Sequence, residues 1–150
     1  MAQIAFIKPF QKAYYFSTSP PIGIAYLSSA LKNKGHETAL LDMRLYENTG
    51  TDLAVKWIHE KQPDIIGISA FACEAMPTHE LAEALKARFP DTPIVVGGPY
   101  PSTAPARVMG DPNIDYCMLG EAEINFPLLV DHILEGEGPP AKIDAMAYRE

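Results

Sequence analysis

The chain has 150 residues and 47% of them are hydrophobic, which is enough for one core of ordinary domain size. It carries 19 acidic and 12 basic side chains, a net charge of -7, and no lysine- and arginine-rich run that would follow a phosphate backbone, so we expect no nucleic-acid partner. No apolar stretch approaches the ~20 residues that cross a bilayer, and no secretory signal opens the sequence, so we expect a cytoplasmic protein without a membrane partner.

Apolar and amphipathic segments alternate five times along the chain, which is typical of an α/β fold. Three of the strand candidates, IAFI, DIIGIS and PIVVG, are almost continuously apolar, as expected where helices cover both faces of a parallel sheet. Right-handed crossovers between such units favour the strand order 2-1-3-4-5. The sequence therefore predicts a three-layer α/β domain with a doubly wound, five-stranded parallel sheet of the Rossmann or flavodoxin type.

The predicted helices carry start and stop signals. In the first helix, Leu27 and Leu31 fall on one face, and Gly35 stands where a left-handed residue would end the helix. In the last helix, Asn125 is in position to cap the first turn, and Pro127 fits within that turn.

Two kinds of side chain receive a purely structural interpretation. Cys73 and Cys117 lie far apart with no partner at metal-ligand spacing, so we expect buried thiols and neither a zinc site nor a disulfide. Tyr26 and Leu27 are expected in the core.

The predicted topology indicates where a ligand would bind. In an open parallel sheet, ligands bind outside the carboxyl ends of the strands, close to the point where the strand order reverses. Here that point lies between strands one and three. The loops that follow the strands at this edge are residues 9–20, 69–73, 97–101 and 120–121. Gly97 and Gly98 would let a ligand approach the backbone closely, although a glycine pair can also form just a tight turn.

The motifs of the common nucleotide sites are missing from this edge. No G-x-G-x-x-G follows the first strand, and no G-x-x-x-x-G-K-[ST] occurs anywhere in the sequence. A response-regulator site needs acidic residues at the end of the first strand, where this chain has Lys8 and Pro9. We therefore expect a ligand other than a simple nucleotide.

A specific resemblance follows from four segments taken together. They are PPIGIAYLSSALKNKGHETALLD, PDIIGISAF, FPDTPIVVGGPYPS and DYCMLGEAE, in this order and spacing. The series resembles the N-terminal cobalamin (B12)-binding domain of the B12-dependent radical S-adenosylmethionine enzymes, over residues 4–135. The resemblance implies a corrin ring across the carboxyl edge of the sheet and a dimethylbenzimidazole tail buried beside it.

The same resemblance implies a set of cofactor-binding residues at the strand exits. They are Ser19, Pro21, Ile22, Gly23, Ser69, Ala70, Phe71, Gly97, Gly98, Tyr100, Pro101, Gly120 and Glu121. Two of them also have a structural interpretation, because the Ser69 hydroxyl can be satisfied by nearby backbone and Glu121 can interact with the N-terminus of the last helix. We further expect Gly98→Val to leave the fold largely intact and to block the tail pocket.

The histidine pattern departs from that of the better-known cobalamin domains. Domains that resemble methionine synthase and the mutases carry D-x-H-x-x-G after the first strand, with the histidine as the lower ligand of cobalt. No histidine lies in residues 9–20 here, and of the four histidines only His79 is expected at the correct edge. We therefore expect the base to be displaced from cobalt and no histidine to replace it. Tyr14, Tyr15 and Phe16 would either cover the corrin or anchor their loop.

The chain lacks the motif of the other half of such an enzyme. The resemblance implies a radical S-adenosylmethionine domain whose C-x-x-x-C-x-x-C holds a [4Fe-4S] cluster, and this sequence has no such motif. We therefore expect residues 1–136 to be the cobalamin-binding domain and residues 137–150 a linker toward a radical S-adenosylmethionine barrel of the same polypeptide. The tail IDAMAYRE resembles the short strand that joins the two halves in that family. The chain alone would have no catalytic residues.

Several functions stay open at this point. The full-length enzyme would be a methyltransferase or an anaerobic tetrapyrrole cyclase. A non-catalytic cobalamin carrier or sensor, or a domain of the same fold with an empty pocket, is the alternative. A flavodoxin-like domain that binds another flat cofactor is a third possibility.

Overall fold

The structure is a computed structural model, and it describes residues 1–10, 19–47, 50–136 and 143–149. Its strands are β1 (Gln3–Lys8), β2 (Glu37–Asp42), β3 (Ile65–Ser69), β4 (Ile94–Gly97), β5 (Tyr116–Met118) and β6 (Met146–Tyr148). Its helices are α1 (Ile22–Asn33), α2 (Thr51–Lys61), α3 (Ala75–Arg88), α4 (Pro99–Thr103), α5 (Pro105–Met109) and α6 (Asn125–Glu135). Short 3₁₀ turns lie at Met43–Leu45 and Ala72–Glu74.

The strands form one sheet in the order β2-β1-β3-β4-β5-β6. The first five are parallel, which confirms the α/β class, the doubly wound arrangement and the order 2-1-3-4-5. Within the described residues, the sheet has one strand more than the five that were predicted. This strand, β6, pairs antiparallel with β5, and Met146 lies opposite Met118. The segment that contains β6 was expected to be a linker with a short strand in IDAMAYRE, and residues 146–148 form such a strand, which joins the sheet.

Two apolar layers explain why the central strands are almost continuously hydrophobic. On β1, Ile4 and Phe6 face the layer of α1 and α6, whereas Ala5 and Ile7 face the layer of α2 and α3. Both sets are buried. Since each face of the sheet is covered by helices, successive side chains on a strand must all be apolar.

The helix signals are confirmed in part. Gly35 follows α1 with φ +84°, the left-handed conformation expected of it. Asn125 is the first residue of α6 and does not cap it: no side chain caps this helix, and the Phe126 N–H bonds instead to the Ala122 carbonyl. Pro127 lies in the first turn, as predicted.

Three other expectations are corrected by the fold. Residues 97–101 were expected in a loop, but residues 99–101 belong to α4, which begins with Pro99 at a position where the ring is tolerated. Tyr26 is 61% exposed and is not in the core, because it lies on the outer side of α1. Cys117 is buried as expected, whereas Cys73 is exposed in the turn after β3. Within the described residues, every helix is too short or too polar to cross a bilayer.

Candidate cofactor-binding site

A cavity of about 510 Å³ opens at the carboxyl edge of the sheet. Its walls come from the exits of β1, β3, β4 and β5 and from the first turns of α1 and α6. It therefore lies where the strand order reverses between β1 and β3, as the topology predicts for a ligand site.

Most of the predicted cofactor-binding residues line this cavity. Those that do are Ser19, Pro21, Ile22, Gly23, Ser69, Phe71, Gly97, Gly98, Gly120 and Glu121. The other three, Ala70, Tyr100 and Pro101, are buried behind the wall and do not line it. Tyr100 points its hydroxyl toward α3, and Ala70 belongs to the core on that same face of the sheet. For these three residues direct contact with a ligand in the cavity is not supported.

The floor of the cavity is apolar and was not predicted. Phe6, Val95, Met118 and Phe126 contribute side chains from three strands and α6, and the Phe6 and Phe126 rings lie 5.7 Å apart. Gly67 makes room for this pair, since a Cβ there would lie 2.8 Å from Cδ1 of Phe6. The period of two along β1 places Phe6 on the same face as Ile4, the face of α1 and α6, but nothing in the sequence indicates that this face carries the cavity.

The two glycines at the exit of β4 have different roles. Gly98 has φ +95°, and a Cβ on it would lie 2.8 Å from the Ala70 carbonyl oxygen. The expectation that Gly98→Val leaves the fold intact is therefore wrong, because the new side chain would meet backbone in a strained conformation. Gly97 has an ordinary φ, and a Cβ there would meet only Cβ of Met118, at 3.9 Å. A side chain at Gly97 can thus enter the cavity without a clash in the protein.

Ser102 connects the β4 and β5 exits across the mouth of the cavity. Its hydroxyl donates to the Gly98 carbonyl at 3.0 Å and accepts from the Gly120 N–H at 2.8 Å. Gly120 itself has φ +65°. The bridge fixes two glycine turns relative to each other, and Ser102 also lines the cavity.

Two ion pairs lie where β1 and β2 end. Arg44 donates to both carboxylate oxygens of Asp42 and to the Ser19 carbonyl at 2.9 Å, so it holds the start of the segment that leads into α1. Burial alone would raise the pKa of Asp42, but hydrogen bonds from Arg44 outweigh it and leave the pKa lowered. Lys8 forms an ion pair with Glu74. Burial lowers the pKa of Lys8, against the opposing effect of Glu74.

All four histidines lie in the described residues, and none lines the cavity. His79 was expected at the cofactor edge, but both of its ring nitrogens are engaged: Nδ1 lies 2.5 Å from Asp111 and Nε2 lies 2.8 Å from the Tyr100 hydroxyl. Within the described part of the chain, no group of three or more His, Cys, Asp or Glu side chains is arranged to hold a metal ion. Tyr14, Tyr15 and Phe16 lie outside the described residues.

The sequence matches a known family over most of its length. The profile of the B12 binding domain matches residues 13–130. An uncharacterized methyltransferase of Pyrococcus horikoshii is 33% identical over 121 residues, which are 80% of this chain and 26% of that protein. The chain therefore spans about a quarter of the length of this relative.

Two solved structures share the fold at low sequence identity. One is the radical S-adenosylmethionine methyltransferase TsrM from Kitasatospora setae with cobalamin and a [4Fe-4S] cluster bound. It matches with a TM-score of 0.80 and 21% sequence identity, and the match covers 99% of this chain and 27% of that chain. The other is the cobalamin-dependent S-adenosylmethionine radical enzyme OxsB with aqua-cobalamin and S-adenosylmethionine bound. It matches with a TM-score of 0.85 and 20% sequence identity, and the match covers 100% of this chain and 21% of that chain.

These matches confirm the resemblance seen in the sequence motifs. The profile match covers well over half of the chain, and the two solved structures share its α/β fold. The chain belongs to the B12-binding domain family.

Proposed function

We propose that this chain holds cobalamin in the cavity at the carboxyl edge of its sheet, as the cofactor-binding part of a radical S-adenosylmethionine enzyme. The observation that carries the proposal is the coincidence of the cavity with the residues singled out from the sequence: Gly97, Gly98 and Gly120 line it at two neighbouring strand exits. Its volume of about 510 Å³ is within the range of small-molecule sites, roughly 300–1,000 Å³.

The residues present fit a ligand with a flat aromatic part and polar substituents. The apolar floor around Phe6 and Phe126 suits the aromatic base of the cofactor tail. The glycine turns present backbone where a side chain would occupy the cavity. Glu121, exposed at the mouth, offers carboxylate oxygens to hydrogen-bond donors. Bound cobalamin would supply a cobalt centre that carries a methyl group or an electron.

We propose that the cofactor binds with its base displaced and with no histidine in its place. The hydrogen bonds of His79 support the absence of a histidine ligand, because binding cobalt through one ring nitrogen would leave either Asp111 or the Tyr100 hydroxyl without its partner. His36 is likewise held, between the Ala2 N–H at 3.2 Å and Asp131 at 3.3 Å. A cobalt atom without a protein imidazole should be easier to reduce.

For the longer protein we propose methyl transfer, with a [4Fe-4S] cluster and S-adenosylmethionine in a further domain. The name of the P. horikoshii relative and the ligands of the TsrM and OxsB structures support this assignment. A tetrapyrrole cyclase reaction is the alternative prediction. Purified protein whose chain carries the further domain would distinguish them, by transfer of a labelled methyl group from S-adenosylmethionine.

The test of cofactor binding is a titration of the purified chain with hydroxocobalamin, followed by reduction and electron paramagnetic resonance of the Co(II) form. We expect saturable binding and a Co(II) signal without nitrogen superhyperfine splitting. Splitting by one nitrogen would contradict the displaced base or the absence of a histidine ligand. No binding at all would favour a domain with an empty pocket.

A further inference from the structure

A buried ion pair lies at the wall of the cavity, at the point where the strand order reverses, and Lys8 itself lines the cavity. Lys8, the last residue of β1, is 2% exposed, and Glu74, in the turn after β3, is 4% exposed. The Lys8 ammonium donates to Glu74. A charge pair without access to water needs further hydrogen bonds to offset its desolvation, so the neighbours of the pair are informative.

Those neighbours belong to the cavity wall. The Lys8 ammonium also donates to the Ser69 carbonyl at 3.3 Å, and the same Glu74 carboxylate oxygen accepts the Phe71 N–H at 2.8 Å. The ammonium lies 4.3 Å from the centroid of the Phe71 ring, within the range of a cation–π interaction. One ion pair therefore holds both the backbone and the ring of Phe71.

The ring that is held in this way is not a core residue. Phe71 is 50% exposed and lines the cavity. An exposed side chain ordinarily changes rotamer within nanoseconds, whereas this ring rests on a buried ammonium. When an aromatic ring is already fixed before a flat ligand binds, less side-chain conformational entropy is lost on binding.

We propose that Lys8 and Glu74 are positioning residues of the cofactor cavity, which hold Phe71 and the Ser69 backbone ready for the flat aromatic part of the cofactor. This inference rests on the proposed function. It differs from a purely stabilising role, in which the pair contributes to the fold and leaves the ligand unaffected. The two roles can be distinguished by replacing both charged side chains with neutral ones in the same variant and measuring cofactor binding.

The decisive variant is Lys8→Met/Glu74→Gln. The single change Lys8→Met leaves the Glu74 carboxylate buried without its counter-ion, and such an unpaired charge is strongly destabilising. In the double variant no buried charge is left unpaired, and a neutral Gln amide oxygen replaces the carboxylate as a weaker acceptor for the Phe71 N–H. What is lost is the ammonium beneath the ring, its bond to the Ser69 carbonyl and the charge-assisted bond to the Phe71 N–H.

The matched control is Lys86→Met. Lys86 also bonds a carboxylate, that of Asp115 at 2.9 Å, and a backbone carbonyl, that of Thr92 at 2.9 Å. These partners stand just before β4 and β5, at the amino edge of the sheet, and do not line the cavity. The control therefore removes an ammonium of the same kind at a distance from the ligand.

Two quantities are measured for the wild type, the double variant and the control: the dissociation constant for hydroxocobalamin, and the exchange rate of the Phe71 amide hydrogen in the cofactor-free protein. For the double variant we expect folding to be retained, the dissociation constant to rise about tenfold, and the Phe71 amide to exchange about tenfold faster. The control should change neither.

Each contrary result has a separate meaning. Wild-type binding and exchange in a folded double variant would overturn the inference and leave cofactor binding intact. If the wild type does not bind cobalamin, the proposed function fails. In that case the proposed role of Lys8 and Glu74 in cofactor binding fails as well. The exchange rate of the Phe71 amide hydrogen would still show whether the ion pair orders Phe71.

Discussion

The Gly120 N–H donates to the Ser102 hydroxyl oxygen at 2.8 Å, so a residue of α4 is tied to the turn that follows β5. The same hydroxyl donates to the Gly98 carbonyl at 3.0 Å. The two exits that the sequence marked by their glycines are thereby joined by a serine that had no assigned role.

Ser102→Ala removes this bridge. Both bonds are exposed, so water can replace them and we expect the free energy of unfolding to fall by only about 0.5–1.5 kcal/mol. The dissociation constant for cobalamin should rise severalfold, because the two turns lose their fixed separation. Titration of Ser102→Ala and Ser102→Thr tests this, since threonine keeps the hydroxyl. Equal affinity of the alanine variant and the wild type would contradict the prediction.

Gly97→Val should block the cavity and spare the fold. The new side chain has an ordinary backbone conformation and meets only Cβ of Met118 at contact distance, so its branches extend into the cavity. We expect cobalamin binding to be lost while the circular dichroism spectrum and the thermal midpoint stay near those of the wild type. Gly50→Val is the control, because Gly50 has φ -77°, open space around its Cβ and no contact with the cavity.

Gly98→Ala should destabilise the protein more than Gly35→Ala. Both glycines have positive φ, +95° and +84°, so both alanines are strained. Only at Gly98 does the new Cβ come within 2.8 Å of a backbone oxygen, that of Ala70. We expect about 1–3 kcal/mol of strain at either position and a further loss at Gly98, measured by urea denaturation. Equal losses would mean that the backbone around Ala70 shifts without cost.

Acid should destabilise the fold through specific carboxylates. Burial on its own raises the pKa of Asp111, but hydrogen bonds from the Asn113 backbone and from His79 outweigh it and leave the pKa lowered. A lowered folded-state pKa means that the unfolded chain binds protons first. This contribution is therefore fully present above 3.8, the ordinary pKa of an aspartate, and is lost as the pH falls through the folded-state pKa.

The measurement is the thermal midpoint between pH 7 and pH 3 for the wild type and for Asp111→Asn. We expect the midpoint of the wild type to fall steeply in the acid range, and the variant to show a shallower dependence from a lower starting point. If the thermal midpoint of Asp111→Asn fell as steeply with pH as that of the wild type, the acid sensitivity would belong to other groups. Asp42 and Asp131 are such groups, because their pKa values are also lowered.

The parallel sheet could be predicted because its signal is local. A strand such as Ile65–Ser69, buried on both faces, must be apolar at successive positions, and the handedness of the crossovers then limits the order of the strands. The position of the cavity follows from that order. The exits rich in glycine and serine could therefore be identified before any coordinates were available.

What could not be predicted depends on pairs that are distant in sequence. Lys8 and Glu74 are separated by 66 positions, and neither residue type suggests burial by itself. Strand β6 was expected from the resemblance alone, because three residues of MAY carry no periodicity and their place in the sheet depends on pairing with β5. Tyr26 falls beside core residues in the sequence, yet the rotation of α1 turns it to the surface. In each case the outcome, buried or exposed, paired or unpaired, depends on tertiary packing, and the local sequence pattern is compatible with either.

The antiparallel strand β6 has a consequence for how the domain behaves in solution. Without it, β5 would present its backbone N–H and C=O groups along an open edge, next to the buried thiol of Cys117. Such an edge can recruit a strand from another molecule, whereas a partner of only three residues, running in the opposite direction, offers little template for further addition. We therefore expect residues 146–148 to oppose self-association, and we expect a chain shortened before Met146 to aggregate at lower concentrations than the 150-residue chain.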